Sequence, residues 1–161
     1  AKGRVEPVPT DGDYSIFIDY AVTPDAIENV LTTLRGIAPK RLVMLFGAGG
    51  DRDRKKRPIM GKISADIADF VIVTSDNPRT EDPEAIIADI LPGLKETRTP
   101  YVVRPDRREA IAYAIENHCP GDVIILCGKG HEDYQIIGKT KVHMDEREIV
   151  AEILEKRKRE K

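Results

Sequence analysis

Four short stretches of this 161-residue sequence bring together residue types that can do chemistry. Gly47-Ala48-Gly49-Gly50-Asp51-Arg52-Asp53-Arg54 follows glycine-turn amides with alternating acids and arginines, a set that suits a carboxylate or a phosphate. In Asp76-Asn77-Pro78-Arg79 the proline keeps its predecessor out of the helical region, so the turn is extended. Such a turn aims the Asn77 amide and the Arg79 fork the same way. Arginine reads a carboxylate with two parallel hydrogen bonds, and asparagine offers both a donor and an acceptor. Gly128-Lys129-Gly130-His131-Glu132 sets a cation beside an anion, as a zwitterionic ligand requires, with Glu132 placed to take an ammonium. The fourth stretch, Asp19 to Asp25, adds an acid and the Tyr20 ring. Each also has a plain reading: glycines that only supply turn dihedrals, a capped loop before Pro83, and solvated charges around Lys129. Arg52–Arg57 and the tail Glu155–Lys161 read as solvated faces. Lys55, Lys56 and Arg57 stand at a helix start, where the macrodipole disfavours cations, and an anionic partner is the one account of them.

Several chemistries are absent. No Gly-x-x-x-x-Gly-Lys-Ser/Thr loop occurs, which argues against an autonomous phosphate-transfer site. His131, His118 and His143 stand apart, with no partner at metal-ligand spacing, so no metal site is expected. Cys119 and Cys127 form neither a disulfide framework nor a zinc motif, which points to a reducing cytoplasm. Lysine and arginine total 26 against 28 acids, a net charge of −2 that gives no basic excess for nucleic-acid binding. No apolar run approaches the ~18 residues of a membrane span, and the Ala-Lys-Gly-Arg start has no signal core. The chain opens without Met, which reads as a processed or excised piece.

The positioning elements follow from hydrophobic pattern. Tyr14–Asp19, Arg41–Phe46, Phe70–Thr74, Tyr101–Val103 and Asp122–Cys127 are nearly continuous in β-branched and aliphatic residues, as strands buried on both faces are. Between them apolar residues recur at three and four. One helix opens at Thr23-Pro24, an N-cap followed by proline in the first turn. Others are expected from about Pro58 to Ala68, from Pro83 to about Leu94, from near Asp106, and from Asp145 into the charged tail. Strand and helix alternating in this way predict right-handed βαβ units and a Rossmann-like, doubly wound, mostly parallel α/β sheet in a single domain over 1–161. Gln135–Met144 reads as a hairpin that adds a short antiparallel edge, and Pro7–Gly12 as a surface turn. In such sheets ligands bind beyond the carboxyl ends of the strands. The four chemical stretches all fall there.

Taken together, GGDRDRKKRPIMGK (49–62), TSDNPRTEDPEAI (74–86), DRREAI (106–111) and GKGHEDYQIIG (128–138) resemble the C-terminal domain of the Mur ligases that add meso-diaminopimelate to UDP-N-acetylmuramoyl-L-alanyl-D-glutamate. The match runs over essentially the whole chain. That resemblance implies a cytoplasmic ATP- and Mg-dependent ligase of peptidoglycan precursors, in which this domain holds the amino acid and closes over ATP. Matching motif to motif, diaminopimelate would meet Arg52, Asn77, Arg79, Gly128 and Glu132. Arg79 would fork onto its distal carboxylate, and Glu132 with the Gly128 carbonyl would accept from its distal ammonium. The nucleotide would meet Arg4, Asp19 and Tyr20. Two positions depart from the family pattern: Val22 stands where histidine is usual, and Ala48 where cysteine is. The central domain, with its phosphate loop and magnesium ligands, and the N-terminal domain, with its sugar-nucleotide site, are not in this sequence. The implied function is binding of meso-diaminopimelate without catalysis. The rivals are a scaffold with no retained activity and a stand-alone nucleotide module.

Overall fold

The structure is a computed structural model that describes residues 4–37 and 39–160. Ala1 to Gly3, which open the expected match, and Lys161 at the end of the tail lie outside the described residues. Strands β1 (Glu6–Val8), β2 (Tyr14–Asp19), β3 (Arg41–Phe46), β4 (Phe70–Val73), β5 (Tyr101–Val103) and β6 (Asp122–Cys127) form one sheet in the order β1-β2-β6-β3-β4-β5. All neighbours are parallel except β1, which runs antiparallel to β2. Helices α1 (Pro24–Arg35), α2 (Lys56–Ile67), α3 (Pro83–Lys95), α4 (Arg107–Glu116) and α5 (Glu146–Arg159) complete the element list with the hairpin β7 (Tyr134–Ile137) and β8 (Thr140–His143).

Alternation within the strands explains the two-sided core. Leu42, Met44 and Phe46 of β3 and Val123 and Ile125 of β6 face one apolar cluster, shared with Ile27, Leu31, Met60, Ile87 and Ile90 of α1, α2 and α3. Val43, Leu45, Ile124 and Leu126 face the other, with Ile111 and Ile115 of α4 and Ile149 and Val150 of α5. Handedness assigns the helices to these faces. The chain moves from β2 out to β5 with α1, α2 and α3 on one side. It then turns back to insert β6 between β2 and β3, and a right-handed return puts α4 on the other side. The expected alternation holds throughout, and Thr23 caps α1 by accepting from the Ala26 amide.

Two expectations change. Pro7 and Val8 belong to the edge strand β1 rather than to a surface turn. Proline is tolerated there because an edge strand has one side without ladder hydrogen bonds. The hairpin forms, but as a two-stranded sheet of its own instead of an added edge. It meets the body through Arg79, whose amide donates to the Ile136 carbonyl at 3.1 Å and whose carbonyl accepts from Gly138 at 2.6 Å.

Beneath the carboxyl rim, Arg107 is 1% exposed. Its guanidinium donates to the Ser75 carbonyl past β4 at 2.9 Å, to the Cys127 carbonyl of β6 at 2.8 Å, and to the Glu146 carboxylate of α5 at 2.9 Å. Arg107→Met leaves Glu146 charged and buried without this partner, and is expected to cost about 3–5 kcal/mol. Removing both charges in Arg107→Met/Glu146→Leu is expected to be much milder, and denaturant midpoints of the two variants check the contrast.

Candidate functional site

Because β2, β3, β4 and β6 are parallel, their carboxyl ends open onto one rim. A cavity of about 530 Å³ lies there, lined among others by Tyr20, Val22, Gly49, Arg52, Lys56, Asp76, Asn77, Arg79, Gly128 and Glu132. All five residues expected to hold the amino acid therefore share one space. A second, shallower cleft of about 250 Å³ is lined by Arg4, Asp19, Tyr20, Val22 and Thr23 among others, and so gathers the three expected nucleotide contacts. Tyr20, Val22 and Thr23 form the ridge common to both.

The loop after β3 and the loop after β4 are sewn together. The Gly50 amide donates to the Asn77 carbonyl at 2.8 Å, and Arg79 Nη1 donates to the Gly50 carbonyl at 3.0 Å. Asp51 accepts from the Thr80 hydroxyl, and its own amide donates to Glu81 at 2.7 Å. The approach is so close that a Cβ on Gly50 would sit 1.8 Å from the Pro78 carbonyl oxygen. Gly49 lies between the two arginines, its hydrogen position 3.0 Å from Arg79 Nη1 and 3.4 Å from Arg52 Cγ once a carbon is built there. Gly128 takes φ +120°, which an L side chain rarely adopts, and faces the Asp76 carboxylate.

Donors and acceptors are sorted by what is already used. Asn77 is buried, and its Oδ1 accepts from the Ile136 amide at 2.9 Å and from the Lys129 ammonium. The amide acceptor is thereby spent inside, and Nδ2 is left to donate. The sequence left both ends of this amide open; the structure assigns it the donor role. Arg52 and Arg79 donate to backbone carbonyls and, among the described residues, have no carboxylate within ion-pair distance in the structure. Glu132 is the acid on the opposite loop, half-buried, 3.5 Å from Lys129 Nζ and accepting from the Tyr134 hydroxyl at 3.3 Å. Its negative charge raises the Tyr134 phenol above its ordinary value, which keeps that hydroxyl protonated.

Two residues differ from the sequence reading. Arg57 is not part of a solvated face: it is 1% exposed, donates to Glu81 at 2.7 Å and to Asp89 at 2.9 Å, and also holds the Gly49 carbonyl. This supplies the anionic partner for Arg57 among the three cations at the start of α2, and not for the exposed Lys55 and Lys56. Lys129, which the plain reading of its glycine turn put among solvated charges, is 0% exposed. Glu81 fell within the stretch 74–86 but was given no role. It stands two residues beyond Arg79, and nothing in the spacing tied it to Arg57 or Asp51.

The second cleft is simpler. Arg4 Nη2 donates to the Tyr20 hydroxyl at 3.1 Å, and the Tyr20 ring meets His131 edge-on. Both Asp19 oxygens accept from backbone amides, those of Val5 and Ala21, at 2.9 Å each. The cleft thus offers one guanidinium and one aromatic ring. No cluster of three or more His, Cys, Asp or Glu side chains placed to hold a metal ion occurs among the described residues. Val22 is exposed on the ridge, and Ala48 is buried against the core.

The family model described as Mur ligase, glutamate ligase domain, matches residues 3–130. The chain belongs to that family. A Mur ligase relative from Caldanaerobacter subterraneus subsp. tengcongensis, named UDP-N-acetylmuramoyl-L-alanyl-D-glutamate--2,6-diaminopimelate ligase, is 58% identical over 153 residues, 95% of this chain and 32% of that one. The Clostridioides difficile protein of the same name is 53% identical over 155 residues, 96% of this chain and 32% of that one. This Mur ligase domain thus spans about a third of the length of the relatives it matches. A solved structure carrying the same ligase name superposes with a TM-score of 0.90 at 42% identity, covering 98% of this chain and 32% of the other. The UDP-N-acetylmuramate-alanine ligase of Thermotoga maritima, at 19% identity and a TM-score of 0.66 over 100% of this chain and 31% of its own, shares the fold. No helix among the described residues is long and apolar enough to cross a membrane.

Hydrogen bonds from Arg57 and from the Asp51 amide hold the Glu81 carboxyl below its ordinary range. A carboxyl depressed in the folded state stabilises the fold above its unfolded value, about pH 4.3, and that contribution is lost as pH falls through the lower folded value. Glu81→Gln is therefore expected to lower the melting temperature at pH 7 and to melt progressively closer to the parent as pH approaches 3. Thermal scans of both proteins across that range read the convergence.

Proposed function

We propose that this chain is the amino-acid-recognition domain of a cytoplasmic, ATP-dependent, amide-forming ligase of peptidoglycan precursor synthesis, and that its ligand is meso-diaminopimelate. The observation that carries the reading is the single cavity in which Arg52, Asn77, Arg79, Gly128 and Glu132 meet. A zwitterionic amino-acid end needs donors for its carboxylate and acceptors for its ammonium, and the cavity has both. Arg79, with Asn77 Nδ2 and Arg52, would take the distal carboxylate. Glu132 and the Gly128 carbonyl would take the distal ammonium. The names of the relatives, each a 2,6-diaminopimelate ligase, support the same ligand.

The far end of the bound amino acid would then extend its other amine toward the ridge of Tyr20, Val22 and Thr23, beside the cleft of Arg4, Asp19 and Tyr20. In the full ligase that amine attacks the acyl phosphate formed from ATP and the D-glutamate carboxylate, an amide bond forms and phosphate leaves. This chain's share is to bind and orient the amine and to line one side of the nucleotide. The phosphate loop, the magnesium and the sugar nucleotide would be held by the central and N-terminal domains of the ligase, its partners in the proposal. With no phosphate loop in these residues, the chain alone binds without ligating, and neither nucleic acid nor a membrane is a partner. L-lysine lacks the distal carboxylate and would leave the Arg79 guanidinium without an anion, which is the physical basis for discrimination.

Calorimetric titration of the chain with meso-diaminopimelate is expected to give a dissociation constant of about 0.1–1 mM. L-lysine, as the matched control, should give no heat, and ATP alone a flat trace. Arg79→Ala is expected to weaken diaminopimelate at least about tenfold while the melting temperature stays nearly unchanged. Silence with both amino acids would favour the scaffold reading.

A further inference from the structure

Lys129 is the one fully buried lysine among the described residues, and it does not line the cavity. Its ammonium reaches three groups that do: the Asp76 carboxylate at 3.1 Å, the Glu132 carboxylate at 3.5 Å, and Asn77 Oδ1. It also lies 5.8 Å from the centre of the Tyr134 ring. We propose that Lys129 is a positioning residue that sets the charge preference of the site, by fixing the Asn77 amide with its donors outward and by cancelling the Asp76 charge.

The argument has two parts. The first is orientation. An amide can be reversed about its terminal bond, and the side-chain oxygen of Asn77 is held inward by two donors, Lys129 just after β6 and the Ile136 amide of β7. With the ammonium gone, the Asp76 carboxylate beside it becomes an acceptor that competes for the Asn77 N–H groups and turns them away from the cavity. The second part is charge. Asp76 and Glu132 both border the cavity. Asp76 Oδ1 makes no directed hydrogen bond, so its pairing with Lys129 is one of charge. Arg107 also lies within electrostatic reach of Asp76, but its hydrogen bonds go to Ser75, Cys127 and Glu146. With Lys129 present, the acidic end offers little more than the Glu132 charge, matched to one ammonium. Without it, two acids face the cavity, and a ligand end that is purely cationic gains over one that is zwitterionic.

The inference rests on the proposed function for its ligands, but one of its readouts does not. In Lys129→Met, hydrogen exchange at the Ile136 amide of the ligand-free chain is expected to quicken at least about tenfold relative to the Ile125 amide in β6, which serves as the internal control. In parallel titrations, the preference for meso-diaminopimelate over L-lysine is expected to fall at least about tenfold. If that variant does not fold, Lys129→Met/Asp76→Asn removes cation and anion together, which a buried pair tolerates better. In that double variant only the Glu132 charge faces the cavity, so exchange at the Ile136 amide is still expected to quicken, while the preference for meso-diaminopimelate stays close to the parent's. A folded variant of either kind whose Ile136 exchange matches the parent, or a folded Lys129→Met in which both amino acids weaken by the same factor, overturns the proposal and leaves Lys129 an ordinary buried ion pair. If the parent chain binds neither amino acid, the proposed function fails by itself, and parental Ile136 exchange in the variant still decides against the role of Lys129.

Discussion

One buried arginine sets the geometry on which the rest of the rim stands. Arg107 leaves the start of α4 and spends its guanidinium on a carbonyl past the end of β4, a carbonyl at the end of β6, and a carboxylate at the start of α5. β3 lies between β4 and β6, so these contacts level the ends of three neighbouring strands. The loops that follow carry Asn77 with Arg79 on one side and Gly128 with Glu132 on the other. Carbonyls buried at strand ends have no ladder to satisfy them, and a planar fork with five donors answers two of them from one side chain.

Above that level the loops are held by each other more than by the sheet. Arg57 connects the glycine loop to Glu81 and to Asp89 of α3, and Asp51 connects it to Thr80. The hairpin closes the far side of the same loop through the backbone of Arg79, which stands at φ 53°. A non-glycine residue in that region is strained unless its surroundings over-determine it. Here hydrogen bonds on both its amide and its carbonyl do so, and the same residue lines the cavity at the rim.

Much of this was legible in the sequence. The runs of Val, Ile and Leu in β3, β4 and β6 can only be strands covered on both faces, and the three-and-four spacing of Ile27, Val30, Leu31 and Leu34 can only be one helix face. Those two patterns place the chemical stretches at strand ends, and the motifs shared with the Mur ligases say which residues turn inward. What stayed hidden depends on contacts distant in sequence. Lys129 and Asn77 are brought together by two separate loops, Arg57 at the start of α2 meets Glu81 from the loop before α3, and a lysine between two glycines reads as solvated until its partners are known. The edge strand at Glu6–Val8 was hidden for a different reason: three residues with a proline among them show no period. The hairpin was legible as a hairpin, yet its attachment to Arg79 was not, because backbone hydrogen bonds leave no mark on side-chain pattern.

The strand order carries a consequence for how such a chain assembles. β6 is the last of the six to be made, and it pairs with β2 on one side and β3 on the other, near the middle of the sheet. During synthesis, everything up to residue 121 therefore presents two incomplete sheet fragments with a slot between them. Neither fragment has a continuous hydrogen-bonded ladder to the other until Asp122–Cys127 emerges and fills the gap. Pairings so distant in sequence close slowly, because the loop entropy is lost before the contacts are gained. The same six residues run directly into Gly128, so the step that zips the sheet shut also brings the Gly128–Glu132 loop to the cavity. The six-stranded sheet and the cavity at its rim close together, with the hairpin and α5 still to follow in the chain.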